Sequence, residues 1–175
     1  MKMEYSDYLE PRYRLRAAAE AAAFPLNTLR SNYQRGWFQS FGNGLSAGRG
    51  RAQRLCLGDI LVLAIASRLI DAGVAPMEAY NAAVSFGVVA KTPKGVWRRM
   101  PFELFDRDQF HTILVWRRGS AANVVPVRKG QGLTLDELGV WDAFGEVSMV
   151  LPLNAVEATV FAQLGLSDSE PPGGS

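Results

Sequence analysis

The sequence predicts an α+β fold in two parts, mostly helical up to residue 87 and β-rich from residue 109. Three observations predict it. The stretch YRLRAAAEAAA, residues 13–23, consists almost wholly of strong helix formers. The stretch DILVLAIASRLIDAG, residues 59–73, is apolar nearly all round, as a buried central helix is. Further on, HTILVWRR and NVVPVR flank the turn Gly119-Ser120-Ala121-Ala122, which reads as an antiparallel hairpin.

The chain has 175 residues, 48% hydrophobic and 21% charged, a globular composition that excludes wholesale disorder. Its longest apolar run, residues 60–66, is far short of the roughly 18 residues of a membrane span. The opening MKMEYSDYLE carries Glu4, Asp7 and Glu10 and no apolar run, so no secretory signal is expected. Cys56, the only cysteine, can form neither an internal disulfide nor a multi-cysteine zinc site. A reducing, cytoplasmic setting is expected, with no membrane partner and no cofactor.

Each element follows from local chemistry. Phe24-Pro25-Leu26 breaks the first helix, because a residue before proline is pushed out of the α region. Asn27 is then expected as the N-cap of a short second helix, residues 28–35, stopped by Gly36. The glycines at 42, 44, 48 and 50 lie between Trp37-Phe38 and Leu55-Cys56-Leu57. That segment reads as a long hairpin with arginines on its return arm. Asp59 opens the apolar helix, and Pro76, at a first helical position, opens a fourth that runs to residue 86. Residues 88–108, with Pro93, Gly95 and Pro101, read as a linker. Thr134 and Glu137 form a capping-box pattern for a short helix, residues 147–153 a third strand, and Asn154 the cap of a last helix. The expected organisation is an N-terminal arm (1–12), a helical unit (13–87), the linker (88–108), a small α+β unit (109–166) and a disordered tail (167–175).

A formal net charge of +2 conceals an asymmetry. Residues 11–56 carry eight arginines against Glu20 alone, a balance of +7, whereas residues 130–175 carry seven acids and no lysine or arginine. The planar fork of arginine matches phosphates and guanine edges, so a basic lobe of this kind is a footprint for nucleic acid. A helix, a tight turn, a second helix opening with Asn27-Thr28 and then an arginine-bearing glycine hairpin form the layout of a winged helix-turn-helix. Such a second helix enters the major groove with its first side chains toward base edges. Asn27, Thr28, Arg30 and Ser31 can hydrogen-bond there, with Gln34 further along. On the wing, Arg49, Arg51 and Arg54 can neutralise phosphates or probe the minor groove. Arg12, Arg14 and Arg16 read either as phosphate contacts or as a solvated start to the first helix, and Arg16 is retained as a candidate.

These residues carry a resemblance. Residues 15–86 resemble the DNA-binding domain of MerR-type transcriptional regulators, in particular the looser subset from phages and mobile elements. The likeness lies in an alanine-rich first helix, then Thr28-Leu29-Arg30-Ser31-Asn32-Tyr33 with Gly36 behind, and Arg54 and Asp59 where the family's wing ends and its next helix begins. It implies DNA contacts by Arg30, Tyr33 and Arg54, although Tyr33 is also spaced from Leu29 to serve a core. The sequence departs from the family at Leu55, where an aromatic is usual, in its long wing, and in Pro93 and Pro101, which interrupt the usual coiled-coil helix. A lone Cys56 does not carry over metal sensing.

Trp37 and Phe38 are expected to pack beneath the wing. His111, near Glu103, Asp106 and Asp108, reads as structural rather than as a metal or acid/base site. The glycines fit neither a Walker nor a GxGxxG pattern, and one histidine supports no Ser/His/Asp arrangement, so no catalytic or metal residue is assigned. The function expected is a sequence-specific DNA-binding regulator that binds inverted repeats of double-stranded DNA as a homodimer through its C-terminal region, and RNA polymerase is a possible further partner. Alternatives are an excisionase-like architectural DNA-bending factor and a protein-interaction module with a basic face.

Overall fold

Among the described residues the longest helix is α4 (Leu57–Asp71), and most of the other helices pack on it. The computed structural model describes residues 4–42, 54–88, 90–91, 98–118, 122–132 and 148–166. Along α4 every residue from 57 to 67 is buried, which explains its lack of a polar face. Its first turn is closed by a reciprocal cap. The Asp59 amide donates to Cys56 Sγ at 3.4 Å, and the Cys56 amide donates to the Asp59 carboxylate at 3.0 Å. The helix therefore starts two residues earlier than the sequence suggested, with Asp59 in its third position.

Around it lie α1 (Tyr5–Leu9), α2 (Leu15–Ala21), α3 (Leu26–Gln34) and α5 (Pro76–Val84), the last continued by a 3-10 turn, Ser85–Gly87. Two corrections concern the first helices. Residues 13 and 14 form a strand, not the start of a helix, and the cap of α3 is Pro25, which places Asn27 inside the first turn. The proline ring sets an extended approach to the helix and has no amide to satisfy.

β1 (Tyr13–Arg14) pairs antiparallel with β2 (Arg54–Leu55). The expected hairpin is corrected in this respect. Its return arm pairs with the segment ahead of α2, and Trp37 and Phe38 lie in no strand. The tip, with Arg49 and Arg51, lies outside the described residues.

A second short pair joins β3 (Ala90–Lys91) to β4 (Arg98–Arg99). The larger sheet holds β5 (Phe110–Arg117), β6 (Asn123–Arg128) and β7 (Ser148–Pro152) in the order β6-β5-β7, all antiparallel. The hairpin read from HTILVWRR and NVVPVR is present, with Leu114 opposite Val124. Strand β5 is buried on both faces. Phe110, Leu114 and Trp116 join the main core, while Ile113, Val115 and Val127 form a small cluster on the opposite side. Pro126 is tolerated because β6 lies at the edge of this order.

Helix α6 (Leu153–Leu164) packs on β5, α2 and α4, so one continuous core joins the N-terminal helices to the sheet. Asn154 is not its cap. Pro152 holds that place, and Asn154 Oδ1 accepts from the Thr112 amide at 2.7 Å, tying the helix to β5. The segment read as a linker also belongs to this core. Phe102 is fully buried against Tyr8, Phe41 and Phe86, and Phe105 is buried beside it. Arg99 is buried too. Its guanidinium donates to the carbonyls of Ser85, Phe86, Val88, Met100 and Glu103 and lies 4.9 Å from the Phe86 ring. The cation thus ties the turn that follows α5 to residues 99–103. Burial pulls its pKa down to about 10, with Glu103 opposing, so it remains charged at neutral pH. The capping-box segment at Thr134 lies outside the described residues, and none of the described helices is long and apolar enough to cross a membrane.

Candidate nucleic-acid interface

Helix α3 divides its residues by face. Leu29 and Asn32 are buried, and Leu26 and Tyr33 are half-buried beside them. At roughly 3.6 residues per turn, Asn27, Arg30, Ser31 and Gln34 then fall on the opposite stripe. Asn27, Arg30 and Gln34 are exposed there and Ser31 is half-exposed, while Thr28 is exposed at one margin. The inward side is fixed by aromatic packing. Phe38 lies 4.4 Å from the Tyr80 ring, 5.8 Å from Phe24 and 6.0 Å from Tyr33, centroid to centroid.

Tyr33 is therefore not brought onto the outward stripe. Its ring belongs to this cluster, and burial, with Asp59 and Tyr80 adding to it, pushes its hydroxyl pKa above the usual tyrosine range. Tyr80 is similarly raised, to about 12, chiefly by burial, and its hydroxyl both donates to the Gln39 carbonyl and accepts from the Gln39 amide. That two-way bond fixes the chain as it leaves α3.

The turn into α3 is tight. Ala23 has a left-handed backbone, φ 51°, the Phe24 amide donates to the Ala19 carbonyl at 2.9 Å, and Ser67 Oγ donates to the Ala23 carbonyl at 2.8 Å. At the other end Gly36, φ 69°, closes the helix, with the Gly36 and Trp37 amides donating to the Tyr33 and Asn32 carbonyls. Phe38 is buried, among Phe24, Tyr33 and Tyr80, whereas Trp37 is not. It is 45% exposed, and the Arg35 guanidinium lies 5.5 Å from its ring centre. Trp37 takes no part in the ring contacts of Phe38.

Helix α2 packs against both α3 and the β1–β2 ribbon. In that ribbon Arg14 stands directly opposite Arg54, and both side chains are exposed. Arg54 is steadied by donating to the Arg12 carbonyl at 3.2 Å. Arg12 is already engaged by Asp7, at 3.3 Å, and by Glu10, whose bond raises its pKa. Arg16 is exposed in the first turn of α2. Among the described residues, no acidic side chain pairs with Arg14, Arg16, Arg30, Arg35 or Arg54.

Asp59 ties the segment that follows α3 to the start of α4. It accepts from Ser40 Oγ at 2.5 Å, from the Phe41 amide at 2.8 Å and from the Cys56 amide. Gly42 lies so close to the Leu9 carbonyl that an added Cβ would sit 2.6 Å from it. Burial first, and Asp59 next, push the Cys56 thiol up to about 12, so it stays protonated and serves as a cap. No group of three or more His, Cys, Asp or Glu among the described residues is placed to hold a metal ion. His111 is exposed on β5, opposite Val127.

No protein-family model matches the chain, and no curated protein matches it.

Proposed function

We propose that the chain is a sequence-specific DNA-binding regulator of the MerR-like winged helix-turn-helix kind. It binds two-fold symmetric operators as a homodimer. The observation that carries this reading is the outward stripe of α3, where Asn27, Arg30, Ser31 and Gln34 are presented without an acidic partner among the described residues. Amide, hydroxyl and guanidinium groups on one helical face are the donors and acceptors that base edges pair with. Arg16, Arg14 and Arg54 supply the cations that hold the duplex in register through its phosphates. A single module of this size buries only about 600–1,000 Å² on DNA, and a second copy supplies the remaining specificity. Its setting is cytoplasmic.

The test is immunoprecipitation of DNA fragments bound by the full chain, scored for a shared motif, beside the variants Arg30→Ala and Arg54→Ala. Recovery of a two-fold symmetric motif that both variants lose supports the proposal. Recovery of no shared motif, or of the same fragments by both variants, contradicts it.

A further inference from the structure

We infer that Arg35 and Trp37 form a clamp for the sugar–phosphate strand bordering the groove that α3 enters, an inference that rests on the DNA-binding reading above. Their place in the chain favours this reading. Arg35 and Trp37 follow the last turn of α3, and where the first side chains of a groove-bound helix face base edges, its C-terminal end contacts the backbone.

The chemistry at that point suits such a wall. Trp37 follows the left-handed Gly36, a place where a helix end usually tucks an apolar side chain against its own last turn. Here the indole is 45% exposed instead, while its neighbour Phe38 is buried. The Arg35 guanidinium covers one indole face from 5.5 Å and has no acidic partner among the described residues. A flat apolar ring beside a free cation is complementary to a sugar ring beside a phosphate. Contacts to sugar and phosphate do not depend on the base sequence.

The experiment compares wild type, Trp37→Ala, Trp37→Phe and Arg35→Ala, with Arg30→Ala and Arg54→Ala as references. Two probes are used, a duplex selected from a random-sequence pool and an unselected duplex of equal length. Trp37→Ala is expected to weaken both in equal proportion and leave their ratio unchanged. Trp37→Phe, which keeps a ring face, should recover most of that loss, and Arg35→Ala should lower the salt slope by about one. Circular dichroism should show all variants folded, since both side chains are exposed. If Trp37→Ala binds both duplexes like wild type while Arg30→Ala and Arg54→Ala are impaired, the clamp is refuted and the DNA-binding reading stands. A fall in the ratio for Trp37→Ala also refutes it, because that would mark a base contact. If no variant is impaired, both proposals fail.

Discussion

Arg14 and Arg54 face each other across the antiparallel ribbon of β1 and β2, which joins the start of α2 to the segment ahead of α4. Like charges directly opposite in an antiparallel pair oppose folding, and no acid among the described residues relieves them. A polyanion would. Arg54→Ala should therefore lower affinity for duplex DNA and reduce the salt slope by about one. Its folding stability should stay within about 0.5 kcal/mol of wild type, as at other exposed positions. Binding titrations across salt, paired with urea denaturation, check both halves. Unchanged binding would remove Arg54 from the interface.

Ala23 occupies a left-handed turn conformation that costs a residue with a Cβ roughly 1–2 kcal/mol. Ala23→Gly should remove that strain, offset in part by the freer unfolded chain, for a net gain of about 0.5–1 kcal/mol. A shift of the denaturation midpoint to lower urea would show that the helix-turn-helix corner is not strained as described.

Asp59 is buried and accepts three hydrogen bonds, from Ser40, Phe41 and Cys56. In Asp59→Ala the Phe41 and Cys56 amides lose their acceptor, at a cost of about 2–4 kcal/mol. Urea denaturation measures the loss. A cost below about 1 kcal/mol would mean that residues 40–41 are held to the start of α4 by packing alone.

Glu157 on α6 is buried, pairs with the exposed Arg107 and has one carboxylate oxygen without a partner. Burial pushes its pKa up, against the pull of Arg107. Tyr8 and Glu103 stand near the same site, and Tyr8 is raised by burial and then by Glu157. A raised folded-state pKa means that the native protein holds the proton more tightly than the unfolded chain. The stabilisation is complete below the ordinary glutamate range and is lost as pH rises through the folded value. Glu157→Gln should consequently gain stability relative to wild type as pH rises above the ordinary glutamate range. Parallel stability curves for the two proteins would contradict this.

Periodicity and capping chemistry made much of this architecture readable in advance. The apolar α4, Pro76 at the start of α5, Gly36 at the end of α3 and the β5–β6 hairpin all depend on neighbours in sequence. What escaped depends on distant partners. Leu55 pairs with Tyr13, forty-two residues earlier, so an apolar stretch next to the wing was wrongly assigned to Trp37-Phe38. Pro93 and Pro101 suggested a linker, but Arg99 and Phe102 between and beside them are held by the end of α5 and by α1, contacts that no local pattern encodes. At the candidate interface the exposed positions of α3 follow from Leu29 and its helical spacing. Tyr33 and Trp37 could not be sorted that way, since each is an amphipathic or apolar ring whose side is decided by Phe38 and Arg35.

The most direct measurement of the central claim is the affinity of Arg30→Ala for a duplex selected by the wild-type chain, set against an unselected duplex. Direct reading of bases by α3 requires a loss of about 1–3 kcal/mol on the selected duplex, with relaxed preference at one position of each half-site and little change on the unselected one. An undiminished ratio between the two duplexes would show that α3 does not read the sequence.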